Sequence, residues 1–183
     1  MLTEFQTQKM KHFFKVLDFD KNGTIEEEDF VAIGENLCIF WGFYDGSDEY
    51  NRYMQHCRDS WKAFNSSVNN HGERANPQHW LEFAERAIVN VPEEAFNEYL
   101  SAVVGEIFDS FDKNNDGYIS VEEYVDIFVA YRIEVRFSAR AFRKLDLNKD
   151  DILGREELIS AVTEFFRSDD PDDPGNWLFG PVD

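Results

Sequence analysis

Residues 112–123 read "DKNNDGYISVEE", with oxygen-bearing side chains at Asp112, Asn114, Asp116, Ser120 and Glu123 around a single glycine, Gly117. Counted from Asp112, these oxygens fall at positions 1, 3, 5, 9 and 12, and Tyr118 adds a backbone carbonyl at position 7. A hard divalent cation takes about 6–8 oxygen ligands, and carboxylates, an amide and one carbonyl at this spacing supply them. Gly117 permits the left-handed backbone that turns the chain around such an ion. Glu123 is long enough to reach back and bind through both of its oxygens, while Ile119 faces away and is free to pair with a neighbouring loop. Asp, Asn and Gly also make ordinary solvated turns. A turn, however, does not require all twelve positions to match, nor amphipathic stripes on both sides.

Working outward, the same unit recurs. Loops begin at Asp18, Asp112 and Asp146, and a worn copy lies between the first two, with Trp61 and Phe64 leading in, Asn65 in the starting place and Trp80 at the exit. Apolar residues at helical spacing flank every loop. Phe5, Met10, Phe13, Phe14 and Leu17 line a first helix, and Phe30, Ile33, Leu37 and Phe40 a second. Tyr50, Tyr53, Met54, Cys57, Trp61 and Phe64 belong to a third, and Trp80, Phe83, Ala84, Ala87 and Ile88 to a fourth. Pro92 opens a fifth helix, carrying Phe96, Leu100, Val104, Ile107, Phe108 and Phe111; Tyr124, Ile127, Phe128 and Tyr131 mark a sixth. Ser138 is placed to cap a seventh, and Leu158, Val162, Phe165 and Phe166 stripe an eighth. A helix, a twelve-residue oxygen loop and a second helix form an EF-hand. The predicted fold is therefore all-α, a compact arrangement of four EF-hand units in two pairs. The expected divisions are 1–91 and 92–167, with a tail, 168–183, folding back through Trp177, Leu178 and Phe179.

The other loops depart from the pattern in specific ways. The first, "DFDKNGTIEEED", offers Asp18, Asp20, Asn22, the Thr24 carbonyl, Glu26 and Asp29. Asp29 is one methylene shorter than glutamate, so this site is expected to lean toward six-fold coordination and to admit Mg²⁺ as a competitor. The fourth, "DLNKDDILGREE", offers Asp146, Asn148, Asp150, the Ile152 carbonyl and Glu157, with Asp151 where glycine is usual. Aspartate is among the few residues that tolerate a left-handed backbone. The stretch between Phe64 and Trp80 has no acid at its first ligand places, and Glu73 is its only carboxylate, beside Arg74. It is read as a structural partner that binds no calcium. His71 and His79 lack a third ligand at zinc spacing.

Composition narrows the function. Acids outnumber Lys and Arg 37 to 18, for a net charge of −19, and such self-repulsion calls for cations rather than nucleic acid. Cys38 and Cys57 are read as buried thiols in a reducing compartment. No apolar run reaches membrane-spanning length, and Leu2 does not fit a myristoylation motif, so a cytoplasmic chain without membrane insertion is expected. No nucleophile stands with a base and no glycine loop cradles phosphate, so an enzyme is not expected.

The first loop ending in Asp29, the decayed second hand, the near-consensus third and the closing "DDPGNWLFGP" together resemble the sarcoplasmic calcium-binding protein, calexcitin and calerythrin family. The resemblance implies two EF-hand pairs packed face to face. It also implies ligand roles for Asp18, Asp20, Asn22, Thr24 and Asp29, for Asp112, Asn114, Asp116, Tyr118 and Glu123, and for Asp146, Asn148, Asp150, Ile152 and Glu157. The expected function is a calcium buffer or signal modulator with three sites, expected as a monomer with no protein target indicated. A target-binding sensor and a photoprotein-like small-molecule binder, its cavity lined by Trp41, Trp61 and Trp80, are the alternatives.

Overall fold

The computed structural model describes residues 1–68 and 74–182. Among them the chain forms α1 (Glu4–Leu17), α2 (Glu27–Trp41), α3 (Asp48–Val68), α4 (Pro77–Ala84), α5 (Glu93–Phe111), α6 (Val121–Ala130), α7 (Ser138–Leu145) and α8 (Arg155–Arg167). The helices start where side chains can satisfy their free N–H groups. Thr3 and Gln6 form a reciprocal capping box at α1, and the Asn76 side chain accepts from Gln78 and His79 ahead of Pro77. At their C-termini α1, α5 and α7 each give way to an aspartate, Asp18, Asp112 or Asp146, whose N–H closes the last turn on Phe14, Phe108 or Phe142.

Adjacent loops are joined through position 8. Strands β1 (Ile119–Ser120) and β2 (Ile152–Leu153) pair antiparallel with Ile119 opposite Leu153. In the first pair Ile25 bridges Ala75 through two backbone hydrogen bonds of 2.8 and 2.9 Å. That bridge corrects the reading of the second hand. Helix α3 runs on to Val68, so Asn65 lies inside it; counting back from Ala75 as position 8 places the loop start at Val68 and Asn76 at position 9. The helix extends because nothing between Asn65 and Val68 breaks it. His71 and Glu73 lie outside the described residues.

Three further local expectations change. Phe40 sits at the end of α2 and is 45% exposed, because α2 instead turns Ile33, Leu37 and Cys38 inward. Pro92 is the N-cap of α5 rather than its first residue, its carbonyl accepting from Phe96 at 3.0 Å. Ser138 does not cap α7: a 3-10 turn, Val135–Phe137, precedes it, and the Ser138 hydroxyl donates to the Val135 carbonyl. A π-helical turn, Glu85–Val89, continues α4.

One apolar cluster spans helices from both ends of the chain. Phe13 lies 5.5 Å from Trp80, 5.4 Å from Phe166 and 4.8 Å from Phe179, centroid to centroid. Trp80 is 1% exposed and donates its indole N–H to the Met10 carbonyl at 2.8 Å. The last residues lie on this body, with Leu178 and Phe179 buried. Lys9 is itself fully buried beneath them, its ammonium donating to the carbonyls of Glu164 and Ser168 at 2.7 Å and to Asn176 Oδ1 at 3.0 Å. Tyr124 donates to the Leu178 carbonyl at 2.9 Å. Cys38 and Cys57 are free and buried, the Cys57 thiol lying close over Gly34 where α2 and α3 cross. Among the described residues no helix is long and apolar enough to cross a membrane.

Candidate metal centres

The first, third and fourth loops share one hydrogen-bonding frame. On each position-1 aspartate, Oδ2 accepts the N–H of position 6: Gly23 to Asp18 at 2.9 Å, Gly117 to Asp112 at 2.9 Å, Asp151 to Asp146 at 3.1 Å. The position-3 side chain accepts the N–H of position 5, from Asn22 to Asp20, Asp116 to Asn114 and Asp150 to Asn148, at 2.9 to 3.0 Å. At position 12 the carboxylate spans the whole loop. Asp29 accepts from Phe19 and Glu26, Glu123 from Lys113 and Ser120, and Glu157 from Leu147 and Gly154, all at 2.8 to 3.0 Å.

The physical economy lies in positions 9 and 12. They are the N-cap and third residue of α2, α6 and α8, so the contact that begins each exiting helix also fixes the last carboxylate of the loop. The turn itself needs two left-handed residues. Lys21, Asn115 and Lys149 have φ of 62°, 56° and 63° at position 4, and Gly23, Gly117 and Asp151 have 89°, 84° and 65° at position 6. Asp151 thus adopts the conformation its neighbours in the pattern reach with glycine. The position-4 requirement escaped sequence reading, since a lysine gives no sign of it.

Carboxylate oxygens of Asp18, Asp20 and Asp29 lie within 4.8 Å of one another, as do those of Asp146, Asp150 and Glu157. Asp112, Asp116 and Glu123 do not close to that distance, although their loop matches the pattern best. Asn22, Asn114 and Asn148 stand within their loops, each hydrogen-bonded to the neighbouring acid Asp20, Asp116 or Asp150. Thr24, Tyr118 and Ile152 occupy position 7 and donate their N–H groups to position 5.

A divalent cation fits this arrangement. Asp18 Oδ1 is buried and has no hydrogen-bond partner, a condition that costs about 1–3 kcal/mol or more for a charged group. Burial pushes Asp18 above the usual carboxylate range against the N–H of Gly23, and does the same to Asp29 against the N–H of Glu26. An all-oxygen set without sulfur or imidazole suits Ca²⁺ or Mg²⁺ rather than zinc.

The second hand contributes differently. Arg74 reaches across the pair to Glu26 at 3.3 Å, and Glu26 also accepts from the Thr24 hydroxyl at 2.8 Å. The charge on Arg74 was legible in the sequence; its reach into the first loop was not.

The pattern that defines the EF hand domain matches residues 103–131, and that of the EF-hand domain pair matches residues 1–35. Calerythrin of Saccharopolyspora erythraea is 28% identical over 167 residues, covering 90% of this chain and 94% of that protein. The chain is thus similar to calerythrin and carries EF-hand patterns in both halves. Solved structures share this fold. The calcium-loaded apo form of coelenterazine-binding protein from Renilla muelleri superposes with a TM-score of 0.78 at 19% identity, over 99% of this chain and 100% of that one. A sarcoplasmic calcium-binding protein from amphioxus gives 0.72 at 19% identity, over 98% of both chains.

Proposed function

We propose that this calcium-binding EF-hand protein serves as a cytoplasmic buffer or signal modulator with three metal sites. The first site would use Asp18, Asp20, Asn22, the Thr24 carbonyl and Asp29, and the second Asp112, Asn114, Asp116, the Tyr118 carbonyl and Glu123. The third would use Asp146, Asn148, Asp150, the Ile152 carbonyl and Glu157. The observation that carries the reading is the buried, partnerless Asp18 Oδ1 among the converging oxygens of Asp20 and Asp29. Bound Ca²⁺ would supply positive charge and ordering, and three ions would reduce −19 to −13. The two pairs of hands, 1–91 and 92–167, act as the binding units, with the tail 168–183 as a strap. The protein acts by binding, as a monomer, rather than by catalysis. Mg²⁺ competes chiefly at the first site, where Asp29 is held by three backbone N–H groups at the end of a short side chain.

Calorimetric calcium titration with and without magnesium tests this. Three equivalents are expected in the native chain and two in each of Asp18→Asn, Asp112→Asn and Asp146→Asn. A stoichiometry unchanged by one of these substitutions removes that loop from the set.

A target-binding sensor is the second reading, favoured by Ile39, Phe40 and Tyr44, which are 74%, 45% and 75% exposed at the end of α2. Glu35 and Asp45 lie close in the chain to these residues, so a basic amphipathic segment is the partner such a surface would suit. Only three methionines and a core of stiff aromatics favour the buffer. A coelenterazine-type ligand in the interior is disfavoured, because Phe13 packs its ring there against Trp80, Phe166 and Phe179. Dye binding that rises with calcium would select the sensor; thermal stabilisation without it would select the buffer.

A further inference from the structure

A cavity of about 410 Å³ opens outside the aromatic core, between the end of α1, the first loop, the α6–α7 connection and the tail. Its apolar surface comes from Tyr131, Ile133, Phe137 and Phe179. Its polar surface is unusual for a chain in which acids outnumber bases two to one, because His12, Lys15, Lys21 and Arg132 all line it. Lys15, Lys21 and Arg132 make no ion pair among the described residues.

Arg132 is held for the role. It follows α6 in a left-handed conformation, φ 52°, which a non-glycine residue adopts at a cost. Its N–H is tied to the Val129 carbonyl at 3.1 Å, and its guanidinium lies 3.8 Å over the Phe19 ring. Two carboxylates also face the cavity, Glu134 and Asp18, and the unpartnered Asp18 Oδ1 is the oxygen assigned above to the first metal site. Glu134 pairs with Arg136 at 2.6 Å, and Asp18 accepts from Gly23 within its own loop. The remaining field is positive over an aromatic floor. An inorganic anion would leave that floor unused, and a cation would meet three unpaired bases.

We propose that this cavity binds an amphipathic organic anion, its apolar body on Tyr131, Ile133 and Phe137 and its carboxylate among Lys15, Lys21 and Arg132. The volume falls in the range of small-molecule sites, about 300–1,000 Å³. The site adjoins the first metal loop, sharing Asp18, Phe19 and Lys21 with it, and lies outside the filled interior.

Decanoate is the probe, added below its micellar range to the whole chain with calcium in slight excess over its sites, and followed by calorimetry. One saturable site is expected. Decyltrimethylammonium, with the same tail and opposite charge, binds about tenfold more weakly or worse. Arg132→Glu and Lys15→Glu, each checked for intact helicity and calcium stoichiometry, lower decanoate affinity by about tenfold or more. Tyr44→Ser, at the exposed end of α2, leaves it unchanged. Absence of decanoate binding at millimolar concentration overturns the proposal, as does equal binding of the cationic surfactant. Indifference to both charge reversals, or loss of binding in Tyr44→Ser, likewise overturns it. The comparison of the two surfactants on the native chain decides the matter even where a variant fails to fold.

Discussion

Two glycines show how differently one added methyl group acts in this molecule. A Cβ on Gly175 would lie 2.5 Å from the Ala161 carbonyl and 2.6 Å from Glu164 Cβ, where α8 and the tail meet. Gly175→Ala is therefore expected to cost about 2 kcal/mol or more, through forced separation of packed backbone. Gly105 sits within α5 with nothing inside 4 Å of an added Cβ, so Gly105→Ala should stabilise by about 0.5–1 kcal/mol through helix propensity. Chemical denaturation of the calcium-loaded protein measures both. Position 6 of the metal loops offers a finer comparison. Gly117→Ala, at φ 84°, should cost about 1–2 kcal/mol. Asp151→Gly should be near neutral, within about 0.5 kcal/mol, because relief of the left-handed strain is offset by the greater freedom of glycine in the unfolded chain.

Between elements, the polar contacts decide which segments hold. Lys9 on α1 satisfies two carbonyls and one amide oxygen at the junction of α8 and the tail. Lys9→Met would leave the Ser168 carbonyl and Asn176 Oδ1 without this donor, while the Glu164 carbonyl keeps the Ser168 N–H at 3.1 Å, an expected loss of about 2–4 kcal/mol. Limited proteolysis should then cut the segment after Arg167 well before the helices, a pattern that a uniformly destabilised fold would not give. Helices α3 and α5 are linked by His56 and Glu106, with Nε2 and Oε1 2.8 Å apart. The hydrogen bond to Glu106 raises the histidine above its ordinary 6.5, opposed by burial and helped by the charges of Glu106, Asp109 and Asp59; Glu49 and Arg52 line the same groove. A raised folded value means that the folded chain holds the proton more tightly. The stabilisation is therefore complete below 6.5 and fades as pH rises through the raised value. Denaturation midpoints measured across that window should fall in the native protein and flatten in Glu106→Gln.

At the scale of the whole molecule, charge sets the balance. A body carrying −19 should gain from any cation that binds only the folded state. Calcium at one hundred times its dissociation constant adds about 2.7 kcal/mol per site, and a chelator should remove that increment and lower Tm. Sodium chloride should stabilise the chelated protein by screening and change the calcium-loaded protein much less. Equal Tm shifts from salt in both states would mean that the ions do not supply the missing charge.

The helices and metal loops were readable along the chain because both are local: a stripe repeats within one helix, and twelve consecutive residues carry a complete ligand set. The positions of Asp18, Asp112 and Asp146 at helix ends needed no knowledge of distant contacts, since each N–H closes on the phenylalanine four residues earlier. Other features depended on residues brought together from far apart in sequence. The Lys9 ammonium meets Asn176 across a separation of 167 positions, and Ala75 takes its register from Ile25 rather than from Asn65. Phe40 keeps helical spacing yet faces solvent, because α2 packs through Ile33, Leu37 and Cys38 instead. Arg74 finds Glu26, and Arg132 finds Phe19, only after the loops close. Spacing along a chain specifies which groups a short segment can offer; which of them meet is set by the packing that excludes water between segments.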